Sequence, residues 1–292
     1  MPELPEVETV MRGLVPVLMG RRIEGISLRR AGLRFPFPEN FATRLEGRHI
    51  TGMVRRAKYI LIALDDGHHL LVHLGMTGRF TVIGKKPVAL GEFYYASETA
   101  DTGGGLHDHV VLSLDDGVVV VYTDPRRFGF MDLIHEDSLA THKLLQNIGV
   151  EPLGNEFSGA YLAEKFRGKT APLKAALLDQ RIIAGLGNIY VSEALHRSGL
   201  SPRRKAHTLV RKPQQLEDLA RNIRDILGEA ILAGGSTLQD FVGANGDAGS
   251  YQQRFAVYDR EGEACLRRGC IGVIRRIVQS GRSSFYCPTC QK

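Results

Sequence analysis

The chain opens with MPELPEVET (residues 1–9), which holds two prolines and three glutamates in a region that is polar and disordered in most proteins. Pro5 suits the first turn of a helix, and the glutamates that follow suit the positive end of its dipole. Apolar residues then recur at helical spacing from residue 5 to residue 19. The sequence therefore predicts an amphipathic helix whose apolar face anchors residues 2 and 3 against a core.

The second residue could carry chemistry of its own. Pro2 is small and cyclic, so we expect Met1 to be removed, which leaves a secondary amine beside the carboxylate of Glu3. An N-terminal amine has a pKa of about 8, and its unprotonated form can add to a sugar C1′ and form a cationic iminium. Taken alone, a stretch of this composition is more often a plain helix start, so the choice depends on the rest of the chain.

Composition narrows the class of protein. The chain has 292 residues, of which 43% are hydrophobic and 24% charged, as in a globular protein of two ordinary domains. No apolar run is long enough to span a bilayer, and the N-terminus lacks the basic and apolar regions of a secretory signal. The net charge is +6, and residues 251–292 hold eight basic and three acidic residues. A basic tail of this kind favours a polyanionic partner, although a solvated charged surface is the alternative.

Residues 21–135 predict β-structure, with two Asp-Gly turns at residues 64–67 and 114–117 that are typical of hairpins. Strands at this spacing favour a sandwich or a barrel. Residues 84–107 are rich in Gly, Lys, Ser and Asp and predict a mobile surface loop. The predicted strands are Ile23–Leu28, Ile50–Val54, Tyr59–Leu64, Leu70–Leu74, Phe80–Ile83, Val110–Leu114 and Val118–Tyr122.

Residues 136–233 predict a helical region, and its boundary with the β-region lies near residues 136–155. Residues 234–250 combine Gly, Ser, Asn and Asp with one apolar patch, which suits a loop that closes over a ligand; an ordinary connector is the alternative. The predicted helices are Ser138–Asn147, Gly159–Arg167, Ala171–Asp179, Asn188–Ser198 and Pro213–Ala233.

All four cysteines lie in the tail, as a C-x₄-C pair (Cys265, Cys270) and a C-x₂-C pair (Cys287, Cys290). Four thiolates paired in this way make a tetrahedral zinc site, and they leave no position open for water, so the role is structural. The sixteen residues between the pairs predict a small hairpin that needs the metal to fold. Arg282 lies at its predicted turn, where it is either a phosphate ligand or a solvent-facing arginine.

Six motifs in one order closely resemble bacterial formamidopyrimidine-DNA glycosylases. They are PELPEVET (residues 2–9), RAKY (56–59), HLGM (73–76), TDPRRFG (123–129), GLGNIY (185–190) and the four-cysteine tail. The resemblance covers the whole chain. It implies an α+β multidomain protein with an N-terminal β-sandwich (residues 1–135), a helix–two-turn–helix domain (136–250) and a zinc finger (251–292). DNA would lie in the cleft between domains.

The resemblance also implies a bifunctional DNA glycosylase and AP lyase of base excision repair. Its substrates would be oxidised purines, notably 8-oxoguanine opposite cytosine and formamidopyrimidines, and strand cleavage by β- and δ-elimination would follow excision. The implied catalytic residues are Pro2 as nucleophile, Glu3 as acid and base, and Lys58 and Arg282 at the phosphates, with Glu6 in support. Taken by itself, Lys58 could equally be a solubilising lysine at a sheet edge.

The implied contacts to DNA fall into two groups. Met76, Arg126 and Phe128 resemble a triad that fills the space left by a base turned out of the duplex. Taken alone, Met76 would more often be core packing. Further implied contacts are His73, Asn188, Tyr258 and Arg276 at phosphates and Lys174 near the base pocket. Asn188 follows Gly185-Leu186-Gly187 at a predicted helix N-terminus, where exposed amides favour an anion.

The chain departs from the family pattern in the first zinc knuckle, which has two extra residues, with Arg267 and Arg268 among its four spacers. The 84–107 loop is also long. The remaining implications are one structural Zn²⁺, a monomer acting on double-stranded DNA without a membrane, and a cytoplasmic, nucleoid-associated location in a bacterium. Two alternatives stay open: an endonuclease VIII-type enzyme that prefers oxidised pyrimidines, and a non-catalytic zinc-ribbon DNA-binding protein in which the N-terminus has no role.

Overall fold

The chain forms two compact units in the computed structural model. Unit 1 holds Met1–Gln146 and Ala233–Ser250, and unit 2 holds Asn147–Leu232 and Tyr251–Lys292. The structure describes residues 2–84, the backbone of residues 88–90, and residues 104–236 and 250–292.

Unit 1 begins with a helix and continues as two antiparallel sheets. One sheet has the strand order β1-β7-β8-β5-β6, and the other has the order β2-β3-β4-β9. Its elements are α1 (Leu4–Leu18), β1 (Ile23–Leu28), α2 (Phe41–Leu45), β2 (Ile50–Arg56), β3 (Tyr59–Leu64), β4 (His68–His73), β5 (Arg79–Ile83), β6 (Val88–Leu90), β7 (Asp108–Leu114), β8 (Val119–Thr123) and β9 (Phe130–His135).

A single apolar core joins both sheets and the helix. Alternate residues of β3 and β4, among them Ile60 and Val72, meet alternate residues of β7 and β8, among them Leu112 and Val120. The apolar stripe of α1 closes the same core and includes Leu14, which is fully buried. Because the start of α1 is held in this way, the residues just before it have a fixed position.

The structure corrects the sequence-based prediction at four points before residue 148. The sequence predicts neither strand β9 nor the short helix α2. Part of the predicted loop 84–107 is strand β6, which pairs with β5, while residues 85–87 and 91–103 lie outside the described residues. The predicted helix Ser138–Asn147 is wrong: a 3₁₀ turn at Glu136–Ser138 leads into further turns. Tertiary packing overrides local helix propensity here, because Leu139, Leu144 and Leu145 pack on the outer face of the four-stranded sheet.

Unit 2 is helical and ends in a hairpin. The predicted helices from residue 159 onward are confirmed with small shifts, although the second is short because Pro172 precedes its first turn. The elements are α3 (Gly159–Phe166), α4 (Leu173–Leu177), α5 (Asn188–Arg197), α6 (Pro213–Leu232), β10 (Arg275–Gln279) and β11 (Arg282–Tyr286), with 3₁₀ turns at Ala206–Leu209 and Tyr251–Arg254. Among the described helices, none has the length and hydropathy needed to cross a membrane. The predicted α+β class is thus confirmed.

Candidate catalytic, DNA-binding and zinc sites

Pro2 and Glu3 are both buried immediately before helix α1. Glu3 occupies the position before the first helical residue, with extended backbone angles (φ −102°, ψ −171°). Its backbone N–H donates to Oε2 of Glu6 at 2.8 Å, which satisfies one of the amides that a helix start leaves without a partner. The backbone that carries the candidate nucleophile and acid is therefore held by a local hydrogen bond.

Glu6 also binds a segment that is far away in sequence. Its Oε1 accepts hydrogen bonds from the backbone N–H of Ser236 at 2.9 Å and from the Ser236 hydroxyl at 3.0 Å. The preceding Gly235 has a φ of +84°, and a Cβ there would lie 3.0 Å from the same oxygen, so a side chain fits poorly. One carboxylate thus fixes both the start of α1 and the first residues of the predicted 234–250 loop, of which residues 237–249 lie outside the described residues.

Lys58 lies in the tight turn between β2 and β3, and the backbone of Ala57 is left-handed there (φ 53°). Arg55 stabilises this turn because its guanidinium donates to the Ala57 carbonyl at 3.0 Å and to Oε2 of Glu8 at 2.8 Å. Glu8 belongs to α1, so the Glu8–Arg55 ion pair holds the lysine turn against the N-terminal helix. Lys58 itself is only 8% exposed, which argues against a solubilising edge lysine.

His73 has a neutral imidazole that can donate one hydrogen bond. Its ring stacks on Phe130 with a centroid distance of 5.0 Å, and its Nδ1 accepts from the backbone N–H of Gly75 at 3.0 Å. Burial, together with the positive charges of Lys58 and Arg34, lowers the pKa of His73 to about 4. The imidazole is therefore neutral near pH 7, and because Nδ1 accepts, the proton lies on Nε2.

Met76, Arg126 and Phe128 lie on two loops in direct contact, residues 75–77 and 124–129, which we call the wedge loops. Gly75 has a φ of +65°, and a Cβ there would lie 2.2 Å from the backbone nitrogen of Gly129. Met76 is half-buried, whereas Phe128 is 45% exposed and lies under the guanidinium of Arg126, 4.9 Å from its ring centroid. An exposed aromatic ring held by a cation is available to contact another molecule.

A buried carboxylate joins the wedge loops. Asp124 has no exposed surface, and its two oxygens accept from the Thr77 hydroxyl at 2.5 Å and from the backbone N–H of Gly129 at 2.8 Å. The Thr77 oxygen in turn accepts from the backbone N–H of Arg126 at 3.2 Å. His109, which is also buried, hydrogen-bonds the Asp124 carbonyl at 2.9 Å. The sequence pattern gave no indication of this network, because its members come from separate strands and loops.

In unit 2, helix α5 presents Asn188 at its first turn, as the sequence predicts. The preceding glycine loop is held by Gln180, whose Oε1 accepts from the backbone N–H of Gly185 at 2.9 Å and whose Nε2 donates to the Leu186 carbonyl at 2.9 Å. Gln180 is a positioning residue that sequence reasoning missed. The signal in the sequence is its position shortly before the GLGNIY motif.

Glu193, on the same helix, was also missed. It is buried and accepts three backbone N–H groups, from Ala256 (2.8 Å), Val257 (3.0 Å) and Tyr258 (2.8 Å). Burial raises the pKa of Glu193, while the three amide donors oppose that shift. The carboxylate thus holds the segment that carries Tyr258, a candidate phosphate ligand, against the helix that carries Asn188.

Lys174 is buried and contacts strand β11. It is 1% exposed, and its Nζ donates to the Ser283 carbonyl and to the Ser284 hydroxyl, both at 2.7 Å. These residues follow Arg282 on β11, and Arg282 is exposed after a two-residue turn whose residues have φ values of 49° and 73°. The contacts favour a role for Lys174 in supporting the hairpin turn. Arg276 is exposed on β10, with its Nε donating to the Ser283 hydroxyl at 3.0 Å.

The four cysteine sulfurs converge at the base of this hairpin and lie within 4.8 Å of one another. Two of the separations, Cys265–Cys290 and Cys270–Cys287, are 3.8 and 3.7 Å. Zinc–sulfur bonds of about 2.3 Å in a tetrahedron place sulfurs roughly 3.8 Å apart, so the donor set fits one zinc ion. A larger residue cannot replace Gly272, because a Cβ there would lie 2.5 Å from Sγ of Cys287.

Family models match three parts of the chain. Residues 1–131 match the formamidopyrimidine-DNA glycosylase N-terminal domain, and residues 148–242 match the H2TH domain of the same enzyme. Residues 262–292 match a zinc finger found in FPG and IleRS. Together with the four-cysteine cluster, this match confirms the prediction of one structural zinc ion.

Curated relatives match over the full length. The formamidopyrimidine-DNA glycosylases of Beijerinckia indica and Rhizobium johnstonii are each 55% identical to the chain, with complete coverage of both sequences. Among solved structures, the Fpg of Lactococcus lactis with abasic-site DNA superposes with a TM-score of 0.85 at 32% identity, covering 100% of both chains.

Two more solved structures agree with this result. The MutM (Fpg) protein of Thermus thermophilus has a TM-score of 0.82 at 36% identity, over 99% of this chain and 98% of that one. A MutM bound to DNA containing carbocyclic 8-oxo-G has a TM-score of 0.84 at 33% identity, over all of both chains. With these models and relatives matched from its first residue to its last, the chain belongs to the formamidopyrimidine-DNA glycosylase family.

Proposed function

We propose that this DNA glycosylase of base excision repair is bifunctional: it excises oxidised purines through Pro2 and then cleaves the strand as an AP lyase. The observation that carries the proposal is the burial of Pro2 and Glu3 together at a hydrogen-bonded helix start. Burial of polar groups is costly, and an arrangement that holds an amine and a carboxylate beside each other gives a nucleophile with its own proton carrier.

The first step forms a covalent intermediate. Once Met1 is removed, the Pro2 nitrogen attacks C1′, the bond from C1′ to the base breaks, and the departing base takes the electron pair and a proton. The nitrogen loses its own proton, and Glu3 protonates O4′ as the sugar ring opens, which leaves a C1′=N⁺ iminium. The positive charge of this iminium then acidifies the C2′ protons.

Strand cleavage follows from that acidity. Loss of a C2′ proton expels the 3′ phosphate by β-elimination, a further proton loss expels the 5′ phosphate by δ-elimination, and water hydrolyses the remaining iminium to free Pro2. We assign Lys58 and Arg282 to the phosphates beside the lesion, where their positive charge stabilises the departing oxygens. His73, Asn188, Tyr258 and Arg276 bind the neighbouring backbone. Lys174 supports the Arg282 turn, and the base-pocket role expected for it stays a prediction.

The wedge loops keep the duplex open while C1′ is exposed. A base inside the stack shields C1′, so the damaged nucleotide must be turned out of the helix. Phe128 is exposed and suited to enter between base pairs, Met76 can fill the space left by the base, and Arg126 can hydrogen-bond the cytosine that has lost its partner. In this proposal Asp124 is a positioning residue, because it fixes the geometry of both loops.

We retain the remaining expectations as part of the proposal. We propose that the protein is a monomer and that it is located in the bacterial cytoplasm at the nucleoid. Its proposed domains are residues 1–135, 136–250 and 251–292. The preference for 8-oxoguanine opposite cytosine and for formamidopyrimidines belongs here too. One L. lactis Fpg structure holds DNA with an oxidised pyrimidine, so the test of the proposal must include such a lesion.

The test is borohydride trapping of the processed protein on three duplexes. They carry 8-oxoguanine opposite cytosine, thymine glycol opposite adenine, or an undamaged pair, and mass spectrometry of the trapped peptide locates the adduct. The proposal predicts an adduct on Pro2 with the 8-oxoguanine duplex and 5′ and 3′ phosphate ends on the cleaved strand. An adduct with thymine glycol alone would favour the pyrimidine-specific alternative. Excision without any adduct would show that the glycosylase is not bifunctional.

A further inference from the structure

Helix α5 ends against the zinc centre, and one of its side chains reaches a metal ligand. His196 is buried, and its Nε2 lies 3.3 Å from Sγ of Cys265, a residue 69 positions further along the chain. Another sulfur contact is local: Sγ of Cys270 accepts from the backbone N–H of Gly272, two residues away, at 3.4 Å. The His196 contact differs because it comes from a side chain of a distant helix.

The direction of this hydrogen bond follows from the metal chemistry. A cysteine that binds zinc does so as a thiolate and has no proton to donate. The hydrogen between the two atoms must then belong to the imidazole, so Nε2 is protonated and donates to sulfur. Donation withdraws electron density from a centre that carries net negative charge with four thiolates, and hydrogen bonds of this kind tune metal sites in general.

A second contact joins the same two segments independently. Arg267, one of the spacers of the widened first knuckle, donates through its guanidinium to the His196 carbonyl and to the Arg197 carbonyl, the latter at 3.4 Å. These are among the last carbonyls of α5, which a cation at a helix C-terminus stabilises. The widened knuckle therefore supplies the residue that fixes the backbone of His196.

The second knuckle contacts the same end of the helix. Gln291 accepts from the backbone N–H of Cys287 at 2.8 Å and donates to the Leu200 carbonyl at 2.8 Å. The backbone N–H of Lys292 donates to the Gly199 carbonyl at 3.0 Å. Both knuckles thus pack against residues 196–200 of unit 2.

We infer that His196 is an outer-sphere donor to the zinc thiolate of Cys265, held in place by Arg267, so that the end of helix α5 is part of the zinc site. The inference concerns zinc retention and rests on the structural zinc, not on the proposed glycosylase mechanism. It predicts that the imidazole slows zinc loss, because the hydrogen-bonded thiolate is harder to protonate and displace.

The test measures zinc transfer from the full-length holoprotein to a chromophoric chelator. His196→Phe keeps the ring volume but removes the donor, and we expect release to accelerate about tenfold or more. His207→Phe is the matched control: its ring hydrogen-bonds the Lys169 carbonyl at 3.1 Å, and release should stay at the wild-type rate. Release from His196→Phe at the wild-type rate would overturn the inference.

Cobalt substitution separates donation to sulfur from general loosening. In His196→Phe the sulfur-to-cobalt charge-transfer band should move to lower energy, because the thiolate becomes a better electron donor. Arg267→Met also weakens the contact between the segments but removes no side-chain donor to sulfur, so its band should stay in place. If both variants shift the band equally, the band reports loosening and the inference fails.

A measurement on the wild-type protein avoids any folding defect of the variants. Nitrogen NMR of ¹⁵N-histidine-labelled zinc protein reports which ring nitrogen of His196 carries hydrogen. We expect a one-bond ¹⁵N–¹H coupling at Nε2, and slow solvent exchange of that hydrogen, because the hydrogen is held in the bond to sulfur. A ring protonated on Nδ1 alone would contradict the inference directly.

Discussion

The start of helix α1 and the zinc-binding tail both hold polar groups in fixed positions, but they do so by different means. At the helix start, Pro2, Glu3 and Glu6 are close neighbours in sequence, and the hydrogen bond from the Glu3 backbone to the Glu6 carboxylate is local. In the tail, the exposed Arg276 and Arg282 depend on a zinc site and on buried residues such as Lys174, which is far away in sequence. Chemistry concentrated in a short stretch is visible in a sequence, whereas the contacts by which distant residues support a binding surface are not.

This contrast implies that the two regions fail differently. Changes at the helix start should stop base excision and leave DNA binding intact, and changes in the tail should weaken binding and leave base excision intact at saturating enzyme. Four pairs of variants test this separation.

The largest effect is expected for Glu3→Gln. An amide cannot carry the proton to O4′, so single-turnover excision of 8-oxoguanine should fall by about 10²–10⁴-fold. The affinity for the same duplex should stay close to that of the wild type. Glu24→Gln, at an exposed carboxylate that pairs only weakly with Arg22, is the control and should behave as wild type. Excision by Glu3→Gln at the wild-type rate would contradict the proposed difference between the helix start and the tail.

Lys174→Met tests the opposite region. It removes two buried hydrogen bonds to β11 and leaves the Ser283 carbonyl without its donor, so the Arg282 turn should loosen. DNA affinity should fall about tenfold, or roughly 1.4 kcal/mol, with the single-turnover rate of base excision at saturating enzyme unchanged. Lys165→Met, at an exposed lysine of the same unit, should leave both quantities unchanged. A lower rate at full affinity would instead place Lys174 at the reacting nucleotide.

Asp124→Asn tests whether the hydrogen-bond network of the wedge loops acts by positioning, as the buried residues of the tail do. The amide keeps one acceptor but cannot accept from both Thr77 and Gly129 as a carboxylate does, so the wedge loops should lose their geometry. Excision of paired 8-oxoguanine should fall about tenfold, while cleavage at a preformed abasic site, which needs less opening of the duplex, should fall less. Asp132→Asn on β9 is the control. Equal losses on both substrates would show a general folding defect.

The smallest effect is a difference in salt dependence between two neighbours. Lys58→Gln would remove the charged phosphate contact that we propose for this lysine, so the slope of log affinity against log salt should become shallower by about one. His73→Gln removes a neutral donor and should leave the slope unchanged near pH 7. Because burial lowers the pKa of His73 to about 4, the imidazole gains a proton only when the pH approaches that value, and its contribution to the slope should appear only there. A slope change in His73→Gln near pH 7 would mean that the imidazole is charged.

Sequence reasoning succeeded where the signal is local. The zinc ligands follow from their spacing, the six motifs follow from the family resemblance, and the strand Tyr59–Leu64 is predicted to the residue. It failed where packing decides: Leu139 and Leu144 fall within a predicted helix but lie in turns, because their side chains pack against the four-stranded sheet. The buried polar residues Asp124, Gln180, Glu193 and His196 were not identified, since each acts on partners that only the fold brings near.

The account depends most on the Pro2 nitrogen, and one comparison tests it directly. Two preparations of the same chain, one with Met1 removed and one with Met1 retained, are reacted with duplex 8-oxoguanine DNA in the presence of borohydride. In the retained form the nitrogen is a tertiary amide and cannot attack C1′. We predict a trapped adduct and excision with the processed protein, and neither with the retained form, at equal DNA affinity. Excision at equal rates by both forms would contradict the assignment of Pro2 as the nucleophile.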